Sequence, residues 1–186
     1  MCPSDYNRAS PQEISIPIEE AGRHALKMVV PFLVLYSVPF FLIHGWAPLC
    51  QITLTGAGLF FLCSMGGIVV HELLHALFFS LLSSGSFKSI RFGIDRKTWS
   101  PYCHPKSAMK VWAYRTGAMA PLCLLGILPS VFSLLNGNLG FLVFGWVFSI
   151  ATGGDLVSVW LTRGLSVNDL IKDHASKIGF YIVEQS

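Results

Sequence analysis

Charge is what this sequence has least of: Asp, Glu, Lys and Arg make up 12% of its 186 residues, whereas apolar types make up 53%. Mean hydropathy is +0.59. In an ordinary soluble domain about a quarter of the residues are charged, so that class is excluded and a lipid bilayer becomes the natural solvent for a single domain of this length. The net charge of +3 comes from scattered Lys and Arg, with no long basic run and no basic stretch interleaved with aromatics. Nucleic acid is therefore excluded as a partner. Paired cysteines are missing too. Cys2, Cys50, Cys63, Cys103 and Cys123 form an odd set with no CxxC, and two of them fall in apolar runs, where a thiol acts as a small hydrophobe. No disulfide framework is expected. No short apolar leader with a small-residue cleavage site precedes the first long apolar run, so that run is expected to stay as an anchor. Repeats and low-complexity segments are absent.

What the sequence does have is four apolar runs, Met28 to Pro48, Ile52 to Leu82, Ala113 to Leu135 and Leu139 to Leu161, long enough for bilayer helices of about 20 residues. Pro31, Pro39, Pro121 and Pro129 fall inside them and predict kinks in the first and third. The short connections Ala47 to Gln51 and Asn136 to Asn138 carry no basic residue. Of the 13 Lys and Arg, three precede the first run, seven lie between the second run and the first residues of the third, where Arg115 stands, and three follow the fourth. The positive-inside rule then puts both termini and the central loop in the cytoplasm and the two turns outside.

The fold expected is an all-α membrane protein of about four transmembrane helices. Residues 1–27 form a cytoplasmic lead-in, 28–163 the transmembrane core and 164–186 a cytoplasmic tail. The lead-in stretch IEEAGRHALKM has helical character. In the central loop, FKSIRFGI alternates apolar and polar residues from Phe87 to Ile94, the pattern of a short strand or hairpin at the membrane surface. SPYCHP, with Pro101 and Pro105 flanking Cys103 and His104, reads as a surface turn, the alternative being a further donor near the site.

Chemistry concentrates in GGIVVHELLHALFF. His71 and His75 are four residues apart, so on a helix they project from one face with a rise of about 6 Å, and Glu72 lies beside them. A charged group at mid-bilayer costs on the order of 3 kcal/mol, which makes ionisable residues there functional by default. HExxH is the pattern in which two imidazoles bind zinc and the glutamate takes a proton from the attacking water. A catalytic zinc usually has a third protein ligand, and the fourth run offers Asp155 in ATGGDLVSVW. His71 lies 19 residues after Ile52 and Asp155 16 after Leu139, so the two reach similar depth toward the cytoplasmic side. Gly153 and Gly154 are expected to let the second and fourth helices approach closely. Haem is excluded, because two histidines four apart on one helix cannot bind opposite faces of one iron. His24, His44 and His174 fall at interface or loop positions and are expected to hold no metal. For an oxyanion donor, Asn136 and Asn138 are predicted outside, which leaves His104 or a backbone N–H.

Together GGIVVHELLHALFF, FGID, PYCHP, YRTGAMAPLCLLGILP, ATGGDLVSVWL and DHASKIGFYIV resemble a family of small bacterial membrane proteins described as zincin peptidases, over roughly residues 60–183. In plan the chain is also similar to site-2 intramembrane metalloproteases. The resemblance implies a zinc metallopeptidase in the bacterial cytoplasmic membrane, with His71, His75 and Asp155 as ligands, Glu72 as general base, and a membrane protein or peptide as substrate. It departs from the site-2 pattern in having Leu156, not glycine, after the aspartate, Gly153 and Gly154 before it, and no room for a PDZ or CBS domain. DHASKIGF carries no chemistry assignable from sequence. Two other readings share the same residues: an inactive membrane scaffold whose polar cluster glues two helices, and a zinc hydrolase acting on a non-peptide bond. The sequence specifies no oligomeric state.

Overall fold

Many large apolar side chains point outward along the helices, and many small or polar ones point inward. The helix Leu54–Leu82 buries Ser64, Gly67, His71, His75, Ala76 and Phe79, while Leu54, Leu62 and Leu81 are exposed at 92%, 68% and 68%. In water this arrangement is inverted; in lipid, which solvates Leu as well as another Leu does, small residues make the helix contacts. A computed structural model of the chain describes residues 12–83, 87–94, 101–174 and 177–183. The rest of the lead-in, Asp95 of FGID, Ser100 of SPYCHP, and Ala175 and Ser176 of DHASKIGF lie outside the described residues.

Strand β1 (Glu13–Ile16) leads into helix α1 (Ile18–His44). This helix begins ten residues before the apolar run at Met28. Glu19 and Glu20 sit in its first turn, where carboxylates meet the positive end of the helix dipole. Both Pro31 and Pro39 lie within the one helix. A 3₁₀ turn, Ala47–Gln51, connects to α2 (Leu54–Leu82), capped by the Thr53 hydroxyl on the Gly56 N–H. Helix α3 (Val111–Pro121) runs through a π-helical turn, Leu122–Ile127, into α4 (Leu128–Asn136). Pro129 cannot donate to the carbonyl four residues back, and the widened turn lies between it and Pro121. The Asn138 side chain then caps α5 (Leu139–Ala151) by accepting from the Gly140 and Phe141 N–H groups.

The fourth run is not one straight helix. It breaks at Thr152, where α6 (Gly153–Leu161) begins with its axis bent by 44°. Consecutive glycines at 153 and 154 give the backbone the freedom to break there. Among the described residues, three helices are long and apolar enough to cross a membrane, and the bent pair makes a fourth.

The all-α expectation needs correction. Beside the hairpin of β2 (Ile90–Ile94) and β3 (Pro101–Pro105), a four-stranded antiparallel sheet runs in the order β1-β6-β5-β4, built from β4 (Met109–Lys110), β5 (Leu170–Asp173) and β6 (Ile178–Val183). PYCHP is strand, not turn: Ile90 pairs with Pro105, Phe92 with Cys103 and Ile94 with Pro101. The strands are two to six residues long, too short for periodicity to announce, and lead-in pairs with tail: Glu13 faces Tyr181 and Ile16 faces Ile178.

The sheet gathers the lead-in, the central loop and the tail at one end of the helices. At the other end the two uncharged turns meet, the His44 Nε2–H donating to the Leu134 carbonyl at 2.9 Å. Each end has its own core. Phe79, Ile90, Cys103, Met109, Tyr114, Ile171 and Phe180 cluster at the sheet end, and Tyr36, Phe40 and Leu142 at the other.

Small residues at crossings are a testable requirement. A Cβ at Gly145 collides with Ser130 Oγ and comes within 2.7 Å of the Gly126 carbonyl oxygen. Gly145→Val should therefore cost about 1–3 kcal/mol and lower Tm in detergent. Gly58→Ala, whose Cβ meets nothing within 4 Å, should leave Tm unchanged.

Candidate metal centre

His71 and His75 lie on the inward stripe of α2, both buried. The second ring is fixed from behind. Its Nδ1–H donates to the Gly117 carbonyl of α3 at 3.0 Å, which sets the tautomer and leaves the Nε2 lone pair facing the cluster. The His71 ring packs edge-on against it, centroids 4.9 Å apart.

Asp155 enters from α6. The buried Thr152 hydroxyl bonds the Phe148 and Ser149 carbonyls at 3.1 and 2.9 Å, closing α5 and leaving Asp155 in the first turn of the next helix. The two glycines before it do not serve the contact with α2. A Cβ at Gly153 meets Ala25 of α1 at 3.0 Å, and one at Gly154 meets nothing within 4 Å. They set the break and the packing on α1.

Three donor atoms converge. The two Nε2 atoms are 3.2 Å apart, and Asp155 Oδ2 lies 3.6 Å from that of His71 and 3.4 Å from that of His75. A tetrahedral centre with ligand bonds of about 2.0–2.1 Å has edges of about 3.3–3.4 Å, so this triangle matches one face of a zinc tetrahedron. Two imidazole nitrogens and a carboxylate oxygen are a suitable donor set for zinc. Among the described residues no other group of three His, Cys, Asp or Glu side chains converges in this way.

Glu72 follows His71 on the same helix. It lines a groove of about 210 Å³ with Ile68, Val69 and Leu73 of α2 and Phe92, Gly93, Pro101 and Tyr102 of the hairpin. Its Oε2 is enclosed without a hydrogen-bond partner among the described residues. A buried carboxylate oxygen left in this way calls for a functional explanation.

The remaining candidates go elsewhere. Cys103 sits in the apolar cluster with Ala76 and Phe79, and burial pushes its thiol up to about 12, which keeps it protonated and a poor ligand. His24 packs at a tilt against Trp160, centroids 5.1 Å apart. His174 Nε2 lies 3.4 Å from the Glu13 carboxylate, which Lys177 also holds, at 2.7 Å; Lys177 first, and then the Ser15 hydroxyl, draw the Glu13 carboxyl below its ordinary value. The pairing that sequence reasoning missed is His104 Nδ1 with the Asp173 carboxylate. Burial alone lowers the His104 imidazole, but Asp173 outweighs it and the net shift is upward from 6.5. The available signal was DHASKIGF itself, whose first residue is that aspartate.

The model of a protein family described as "Putative zincin peptidase" matches residues 64–164, just over half of the chain. The chain belongs to this family. The matched segment holds His71, Glu72, His75, His104 and Asp155 and ends before Asp173. No curated protein and no solved structure matches the chain.

Two measurements follow from this geometry. Detergent-purified protein should carry about one zinc per chain by elemental analysis, and His75→Ala and Asp155→Ala should each lose it. The second concerns pH. With the imidazole value raised in the fold, the His104–Asp173 pair stabilises fully below 6.5, where the unfolded ring is also charged, and stops stabilising as pH rises through the folded value. Asp173→Asn should lower Tm most in acid and progressively less toward alkaline pH.

Proposed function

We propose that this member of the zincin-peptidase family is a membrane-embedded zinc endopeptidase, similar in plan to site-2 proteases. It works in the cytoplasmic membrane of a bacterium with its site toward the cytoplasmic face. The observation that carries the reading is the donor triangle of His71, His75 and Asp155 beside a glutamate that lines a groove. A scaffold in which the cluster only joins helices gives Glu72 nothing to do.

In this reading His71 Nε2, His75 Nε2 and Asp155 Oδ2 hold the ion. Bound zinc supplies Lewis acidity, polarising the scissile carbonyl and making the attacking water acidic enough to react near neutral pH. Glu72 takes the water's proton on its carboxylate and delivers it to the leaving amine nitrogen. Gly117 keeps the His75 ring in the tautomer that can bind. Apolar Ile68, Val69 and Leu73 keep bulk water from the groove, which strengthens every charge interaction within it.

The substrate is a membrane protein or peptide presenting an extended segment. A helical substrate must unwind, because its own hydrogen bonds shield its peptide groups. The β2–β3 hairpin borders the groove, and a strand laid along its edge passes Glu72 while its backbone is held by main-chain hydrogen bonds. This fits a peptide better than a compact non-peptide substrate.

The general-base role is tested with Glu72→Gln. The variant should keep its zinc and its Tm while hydrolysis of a pool of quenched fluorescent peptides falls by at least about 10²–10⁴-fold. Cleavage at the wild-type rate overturns the assignment.

A further inference from the structure

DHASKIGF has no role in the mechanism above, yet its first residue reaches the site end of the molecule. Asp173 closes β5, between β6 and β4, and its carboxylate meets His104 Nδ1 across from β3. The Asp173 side chain is 11% exposed and that of His104 39% exposed, so the acceptor is sunk in the protein and the ring reaches outward. The Asp173 carboxylate can only accept, so Nδ1–H donates to it and fixes the ring's orientation; Nε2 carries a proton in the imidazolium form, which the carboxylate favours, and that Nε2–H edge points away from it.

The direction of that edge follows from strand alternation. On β3, Cys103 turns into the apolar core, while Tyr102 and His104 share the opposite face, ring centroids 4.9 Å apart. Tyr102 faces Gly93 across the hairpin, and the two line the groove that holds Glu72. His104 is thus next along the strand from the wall of the groove. The charges agree with this placement: the His104 ring feels both Glu72, which favours its cationic form, and His75, which opposes it. The titratable groups that bear on it are Asp173 of β5, Glu72 and His75 of α2 and Tyr102 of its own strand, with Arg91 opposite in β2.

The geometry points to His104 as a catalytic residue of the peptidase: its Nε2–H, aimed by Asp173, donates a hydrogen bond to the scissile carbonyl oxygen as that oxygen gains negative charge. Asp173 is the positioning residue. This rests on the peptidase reading and supplies the oxyanion donor it lacks. In the balanced step the water oxygen bonds to the carbonyl carbon and the C–N bond breaks. Glu72 carries the proton from water to the amine, and His104 keeps its own proton throughout. Two other candidate donors are committed elsewhere: Arg115 is tied to Thr162 by two 2.8 Å bonds, and Asn138 caps α5 at the far end.

The test uses the full chain in detergent micelles with labelled histidine, followed by imidazole NMR against pH. Asp173→Asn and Glu72→Gln should each move the His104 titration downward, the second without touching His104 or its strand. A His104 titration unchanged in Glu72→Gln overturns the inference, whether or not any peptide is cleaved. On zinc-loaded protein with the quenched peptide pool, His104→Gln should lower kcat by about 10²–10³-fold with little change in KM and full zinc content. Asp173→Asn should give part of that loss. Cleavage abolished by Glu72→Gln but intact in His104→Gln overturns this inference and leaves the peptidase reading standing. A chain that holds no zinc overturns both.

Discussion

Ionisable groups enclosed in an apolar bundle must find one another, and most of this architecture serves that need. His71 and His75 come from one helix and Asp155 from another, with donor atoms within 4.8 Å. Bringing those helices into register requires a bundle whose inner surfaces are made of Gly, Ala, Ser and Thr. Ser64, Ser130, Ser133, Ser149 and Thr152 are all buried, whereas Leu54 and Leu62 beside Ser64, and Leu128 and Leu135 beside Ser130 and Ser133, face out. The outer surface needs only to be apolar. The inner one has to be small.

The same need explains the break at Thr152. A continuous helix through residues 139–161 would carry Asp155 as a mid-helix carboxylate surrounded by satisfied backbone. Ending α5 and starting α6 puts it in a first turn, where free N–H groups favour negative charge, and turns the new axis by 44°.

Much of this was legible because a bilayer is a demanding solvent. Four runs of adequate length give the helices, and the distribution of Lys and Arg puts both chain ends and the central loop at the same end of them. HELLH stands out because three ionisable residues in an apolar run need a reason, and Asp155 because it is the one carboxylate in the last run. The sheet was not legible. Its strands are short, and β1 finds its partner more than 160 residues away, so no local pattern reports the pairing. His104 and Asp173 are 69 residues apart on strands that were read as a turn and a tail. PYCHP misled because two prolines flank it, yet in a two-stranded hairpin each strand has an outer edge where a missing N–H costs nothing.

The order of the four-stranded sheet has a consequence for how the molecule is made. Its first-synthesised strand, β1, pairs with β6, its last, and β5 reaches His104 only when that same end of the chain is in place. The helices carrying His71, His75 and Asp155 are all made before β5 and β6, so the sheet closes only after those two strands have been synthesised. The brace that holds Asp173 against His104 is therefore assembled after the helices it braces, and a growing chain carries HELLH before that brace exists.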